Sequence, residues 1–295
     1  MKKILITGST GFIGENLVLN LYNEYDIGVI IREESKIPNS FKKLNLKYFI
    51  FNGDLENLID IFNKFNPIAV IHLASFFIAE HNKSQLKDLI TSNISFGSFL
   101  LEAMKESNIK ILINTGTFWQ NFTGEKYNPV SLYAATKESF QKIIEYYVQL
   151  HKFKVITLKL FDTYGENDNR KKLLYILKEN IKSKKYLSMS PGFQEINLTH
   201  VNDICEAYRL AIHLIQNKKF TGHKIFFLKN QQSYRLRDIV KTIEKLIGKN
   251  LKINWGDLNY RKREVINIYN YKNNLPGWAP KITLEEGLKK IFTNK

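Results

Sequence analysis

The chain has 295 residues, 44% of them hydrophobic, which is enough to bury one large α/β domain with a smaller appendage and leaves no need for a disulfide framework. Its single cysteine, Cys205, cannot pair within the chain, and no Cys/His cluster has metal-ligand spacing, so no metal is expected and a reducing compartment, the cytoplasm, is. The formal charge of +16 raises nucleic acid and membrane surfaces as partners, but the basic residues are scattered. Local clusters at Arg170-Lys171-Lys172, Lys182-Ser183-Lys184-Lys185 and Arg261-Lys262-Arg263 lack an aromatic-basic module around them. They read as solvated surface, and no nucleic acid is expected. No apolar stretch approaches the roughly 20 residues that span a bilayer, and Met1-Lys2-Lys3 leads directly into a core strand, so neither secretion nor a membrane partner is expected.

The first element is a short apolar strand over 3–7 that ends in Gly8, Gly11 and Gly14 and turns into an amphipathic helix over 12–23. A buried strand that must turn sharply, a backbone that must approach a pyrophosphate and a helix that must pack close to a sheet each suit a residue without a β-carbon. The helix N-terminus would aim its free amide groups and the positive end of its dipole at the phosphates. The spacing G-x-x-G-x-x-G is one residue longer at the front than the generic dinucleotide fingerprint.

Strands at 27–31, 47–51, 69–73, 110–114 and 154–160 then alternate with helices at 55–65, 85–107 and 132–151, the pattern of a doubly wound parallel sheet covered on both faces. After Leu160 the elements shorten. Helices are expected at 171–182, 201–216, 236–247 and 284–292, and strands near 224–228 and 251–254. With no repeat and no low-complexity linker, the second part is expected to interleave with the first.

Tyr133-Ala134-Ala135-Thr136-Lys137 places a phenol and an ammonium on one face at the start of a helix. A phenol of ordinary pKa near 10 is a weak acid-base group at pH 7, and a neighbouring cation would favour its phenolate. Thr115, just past the apolar run Ile111-Leu112-Ile113, adds a hydroxyl at the carboxyl end of a strand. The three side chains would face the pocket made by the glycines.

Further motifs follow in order: Gly53-Asp54-Leu55 after the third strand, His72-Leu73-Ala74 at the fourth, Asn93-x-x-x-Gly97 in the long helix, and Leu160-Phe161-Asp162-Thr163-Tyr164-Gly165. His200-Val201-Asn202-Asp203, Arg261-x-x-Glu264 and Gly277-Trp278-x-Pro280 complete the series. Together with the glycine turn, Thr115 and Tyr133/Lys137, these motifs resemble the extended short-chain dehydrogenase/reductase family of nucleotide-sugar epimerases, dehydratases and reductases, across essentially the whole chain.

The resemblance implies a Rossmann dinucleotide-binding domain over 1–162 and about 197–217, and a nucleotide-sugar-binding domain from 163–196 and 218–295. It implies catalysis by Thr115, Tyr133 and Lys137. The cofactor would meet Gly8, Thr10, Gly11, Phe12, Ile13 and Gly14, then Leu73, Ala74 and Ser75, with Asp54 and Leu55 at the adenine and Asn93 bracing the site. Thr115, Thr117, Asp162, Arg170, Lys171 and above all Arg261 would meet the substrate. His72 reads as a satisfied core histidine and Asp203 as a helix cap.

Arg32 departs from relatives that carry an acid at the end of the second strand to bind NAD. An arginine there can grip a 2'-phosphate in two-pronged fashion, which favours NADP(H) over NAD. Gly116-Thr117 stands where family dehydratases carry an acidic pair and where fucose-type epimerase-reductases carry a cysteine, so elimination and carbanion epimerisation look unequipped. The expectation is an NADPH-dependent reductase of a nucleotide-linked 4-keto-6-deoxy sugar, forming a homodimer through its two long helices. The rival readings are a 4-epimerase holding NAD tightly and a non-catalytic NADP-sensing or RNA-binding relative.

Overall fold

In the computed structural model the described residues are 1–124, 126–183 and 185–293. Lys184 of the 182–185 basic cluster and the last two residues of the expected second domain lie outside them. Buried aliphatic strands β1 (Lys2–Thr7) and β2 (Tyr25–Ile31) and the exposed edge strand β3 (Lys47–Ile50) are laid down side by side, joined by α1 (Phe12–Leu21) and a loop, with α2 (Leu55–Phe65) following. The chain then returns to the other side of β1, adding β4 (Ala69–His72), β5 (Ile111–Thr117) and β6 (Lys154–Leu160). Between them run α3 (Leu86–Ile90), α4 (Phe96–Glu106) and α5 (Leu132–His151). The seven-stranded sheet has the order β11-β6-β5-β4-β1-β2-β3 and every pairing is parallel. The reversal between β1 and β4 opens a crevice at the strands' carboxyl ends, where doubly wound sheets hold ligands.

Alternating strand residues fill two cores. Ile4, Ile6 and Ile113 pack under α1 and α7 on one face, while Leu5, Val70 and Leu112 pack under α2, α4 and α5 on the other. Gly97 allows α4 to meet α5 closely, since a β-carbon there would lie 2.5 Å from the Phe140 ring. The long helix expected over 85–107 is three pieces: α3, one π-helical turn at Thr91–Ser95, and α4. Such turns carry an extra residue and re-aim side chains near functional sites. Here the re-aimed residue is Asn93.

β7 (Asp162–Tyr164), α6 (Leu173–Ser183), β8 (Leu187–Met189), β9 (Glu195–Ile196) and β10 (Leu198–His200) begin the smaller part. After α7 (Val201–Ile215), which returns to the sheet, come β11 (His223–Leu228), β12 (Tyr234–Arg235), α8 (Leu236–Ile247), β13 (Ile253–Trp255) and α9 (Leu284–Phe292). Leu177, Ile239, Ile243 and Leu288 form its own core. β11 pairs with β6, so this segment of the stretch 218–295 lies in the large sheet and not with the small core. β5 also continues three residues beyond the expected strand, because its partner β6 stays in register up to Thr117 opposite Leu160.

Candidate active site

Gly8 has φ +70, and a β-carbon on it would fall 2.5 Å from the Ala74 nitrogen; one on Gly14 would fall 2.2 Å from the Gly8 oxygen. These two glycines are therefore required by backbone packing. A β-carbon on Gly11 would meet just the Gly8 oxygen, at 3.4 Å, among the described residues, so its free side is open. No side chain caps α1 at Gly11, so the first amide groups of that helix remain available to an anion.

Two clefts meet at this turn. The inner one, about 230 Å³, brings Gly8, Gly11 and Gly14 together with Thr115 and Tyr133. Phe12, Ile13, Leu73, Ser75, Thr117 and Asp162 also border it. The three distant segments of the sequence thus converge. The second cleft, about 480 Å³, runs over the ends of β1 and β2 and is bordered by Thr10, Ala74, Arg32 and Lys87. Arg32 is 72% exposed and ion-paired through Nε with Glu34 at 3.1 Å.

Ser131 caps α5, its side chain accepting from the Ala134 amide, and so fixes the turn that carries Tyr133 and Lys137. Tyr133 is 9% exposed, and burial pushes its pKa up to about 12, with a hydrogen bond from Ser75 opposing. Lys137 does not produce the depressed phenol expected from its proximity. Lys137 is 3% exposed and borders neither cleft; burial lowers its own pKa to about 8, and it has no ion pair or hydrogen bond among the described residues. A buried cation without a partner is suited to receive ligand hydroxyls.

Thr115 Oγ1 lies 2.6 Å from the Tyr208 hydroxyl. Thr117 accepts from the Trp119 amide and so caps a short turn over 118–120 whose aromatic side chains wall the cleft. Phe77 closes the other side, edge-on to Tyr133 at 5.0 Å.

Several expected ligands are placed elsewhere. Asp54 and Leu55 border neither cleft; Asp54 is exposed at the start of α2. Asn93 is buried, its Oδ1 accepting from the Phe76 amide at 2.8 Å and its Nδ2 donating to the Phe76 carbonyl and Thr136 Oγ1. It holds the strand-end loop to α5 and borders no cleft. Lys171 is exposed and borders none of the clefts, whereas its neighbour Lys172 borders the inner one and lies over the Phe77 ring. One residue of drift in an irregular loop reverses the direction of a side chain, and no periodicity in the sequence distinguishes the two lysines. Arg170 borders the inner cleft, but its Nε and Nη2 are held by Asp168 at 2.7 Å each, and the guanidinium covers Phe12 at 4.4 Å.

His72 is a satisfied core histidine: buried, hydrogen-bonded to Thr7 Oγ1 at 2.8 Å, with its pKa lowered to about 3 by burial and then by Lys137. Asp203 does not cap α7; His200 does, accepting from the Asn202 amide. Asp203 instead accepts from the Ile282 amide and, by its carbonyl, from Trp278 Nε1, which ties the Gly277-Trp278-x-Pro280 segment to α7.

An outer cleft of about 610 Å³ continues from Trp119, Asp162 and Lys172 toward Arg261 and β8. Arg261 lies over the Trp119 ring at 5.0 Å and is oriented by Glu264 at 2.6 and 2.8 Å. Burial raises the Asp162 carboxyl, against the pull of Lys172, Arg261 and Arg170. No cluster of three or more His, Cys, Asp or Glu able to hold a metal occurs among the described residues. No helix among them is long and apolar enough to cross a membrane.

A glycine turn at a sheet's switch point, joined to a hydroxyl, phenol and ammonium set, defines an oxidoreductase-type enzyme of the short-chain dehydrogenase/reductase class that uses NAD(P) and acts on CH–OH groups. Residues 4–223 match the model of the NAD dependent epimerase/dehydratase family, and the chain belongs to that family. It is similar to a CDP-abequose synthase of Yersinia pseudotuberculosis, 29% identical over 281 residues that cover 92% of this chain and 93% of that protein. A CDP-abequose synthase of Salmonella muenchen is 25% identical over 301 residues, covering 100% and 98%. Among solved structures, the UDP-glucose 4-epimerase of Brucella ovis in complex with NAD superposes with a TM-score of 0.87 at 17% identity, covering 99% of this chain and 98% of that one. That similarity concerns the fold.

Proposed function

We propose that the chain is an NADPH-dependent reductase of a nucleotide-linked 4-keto-6-deoxy sugar, working in deoxysugar and surface-polysaccharide biosynthesis. The observation that carries this reading is the convergence of the glycine turn, Thr115 and Tyr133 on one inner cleft. A buried phenol there keeps at neutral pH the proton that a reduced carbonyl oxygen requires. NADPH, when bound, supplies the hydride. Tyr133 gives its Oη proton to the sugar oxygen, Thr115 hydrogen-bonds the same oxygen, and Lys137 binds ribose hydroxyls.

The chain's own features fit a dinucleotide: the open face at Gly11, the uncapped start of α1 and the partnerless ammonium of Lys137. Two cations on the second cleft, Arg32 and Lys87, support a 2'-phosphate and hence NADP. Arg261, with Lys172 nearer the inner cleft, supports a diphosphate between sugar and base. The two CDP-abequose synthases make CDP the nucleotide to try first. A homodimer through α4 and α5 is part of the reading, supported by Phe99, Tyr146 and Leu150, which leave large apolar side chains exposed on those helices. A cytoplasmic setting is supported by the lone, buried Cys205.

The test is loss of NADPH absorbance against a panel of CDP-, GDP-, dTDP- and UDP-linked 4-keto sugars. Stoichiometric NADPH oxidation with one member is the expected result. NAD that copurifies and does not exchange, with sugar epimerised and no NADPH consumed, would replace the reading by a 4-epimerase. Unchanged biological activity in Tyr133→Phe would favour a non-catalytic sensor.

A further inference from the structure

Tyr208 stands on α7, fully buried in the core under the sheet face opposite α5. Its hydroxyl lies 2.6 Å from Thr115 Oγ1, and Thr115 is its only hydrogen-bond partner among the described residues. We propose that Tyr208 is a positioning residue that fixes the polarity of the Thr115 hydroxyl, making Thr115 an obligate donor toward the substrate oxygen. The inference rests on the reductase reading, in which Thr115 addresses the reacting carbonyl.

A phenol and a threonine hydroxyl that share one hydrogen bond can be arranged in two ways. If Thr115 donated, the phenolic proton of Tyr208 would have no other hydrogen-bond acceptor among the described residues. A buried donor without a partner is unfavourable. If Tyr208 donates, its proton is satisfied and the threonine proton is released. Thr115 is only half-buried and borders the inner cleft, so its proton has somewhere to go. Burial also holds the Tyr208 phenol well above its usual pKa, so the donor stays protonated throughout the working range.

The outcome is a threonine whose oxygen is already occupied from behind and whose proton points at the ligand. A carbonyl oxygen only accepts, whereas an alcohol both donates and accepts. The arrangement brings a second donor to the oxygen that Tyr133 protonates.

The experiment is a double-mutant cycle on the full-length enzyme with NADPH and the 4-keto sugar identified by the panel. Tyr208→Phe keeps the ring in the core and removes one oxygen. The expected result is a fall in kcat of about tenfold, in line with roughly 1.4 kcal/mol for one oriented hydrogen bond, with KM and NADPH affinity within twofold of wild type. In a Thr115→Val background the same change should do nothing further, and in Thr115→Ser it should again cost about tenfold. Effects that multiply independently in the Val background, or that track a loss of NADPH binding, would overturn the proposal and leave the reductase reading intact. A wild type that oxidises no NADPH with any 4-keto sugar would overturn both.

Discussion

At the second cleft the cations stand in water: Arg32 is 72% exposed and paired with Glu34, and Lys87 is exposed on α3. On the inner cleft Tyr133 is 9% exposed, and Lys137, one turn further along α5 and bordering neither cleft, is 3% exposed with no partner among the described residues. Charge in one region is screened by solvent, whereas in the other it is desolvated in advance. The difference separates binding from chemistry. An exposed arginine contributes a modest, salt-sensitive attraction, whereas buried groups act at low dielectric and must be held in place by packing that the ligand did not supply.

The largest effect is expected at the desolvated end. Tyr133→Phe should lower kcat about 1,000-fold or more while the fold and NADPH binding survive, measured by steady-state NADPH oxidation and cofactor titration. A loss under tenfold would remove the phenol from the chemistry and erase the contrast between the two ends.

Lys137→Met sharpens the contrast by separating function from stability. Activity should fall about 100-fold, but the protein without ligand should become more stable at pH 7. A fall in pKa from 10.5 to about 8 corresponds to a burial cost of about 3 kcal/mol, an upper bound on the gain. Between pH 8 and 10.5 the unfolded chain holds the extra proton and the folded one does not, so wild-type stability should rise with pH across that window. The advantage of the variant should shrink over the same interval, as followed by urea unfolding at pH 7 and pH 10.

Arg261→Met tests the outer cleft. Its guanidinium is oriented by Glu264 and lies on Trp119, so its removal should raise KM for the nucleotide sugar about 10- to 100-fold with kcat little changed. The smallest effect belongs to the solvated end. Arg32→Ala should raise KM for NADPH about tenfold, leave NADH use unaltered, and lose much of its effect at high salt. Equal effects on both cofactors would place Arg32 outside 2'-phosphate recognition.

Much of this was legible in the chain because it is local. The glycine turn, the Tyr133/Lys137 spacing and the bounds of α2, α5, α8 and α9 follow from neighbours in sequence: a 3.6-residue period, a serine cap at Ser131, and a capping box between Thr283 and Glu286. Residues that act across long gaps were not legible. Tyr208 reads as one more apolar position of an amphipathic helix, and its hydroxyl has meaning only because β5 passes 93 residues away in sequence. Asn93 was singled out by its register with Gly97, but its partners Phe76 and Thr136 depend on a π-turn that no periodicity announces.

The sequence by itself determined the alternation of strands and helices in the large sheet, the glycine turn and the spacing of Tyr133 and Lys137, since each rests on short-range sterics and periodic burial. Only the tertiary structure decided which groups are desolvated, which are already neutralised, as Asp168 neutralises Arg170, and which of two adjacent lysines borders the inner cleft. Burial and electrostatic pairing are sums over neighbours contributed by the whole fold, and these neighbours are not adjacent until the chain has closed.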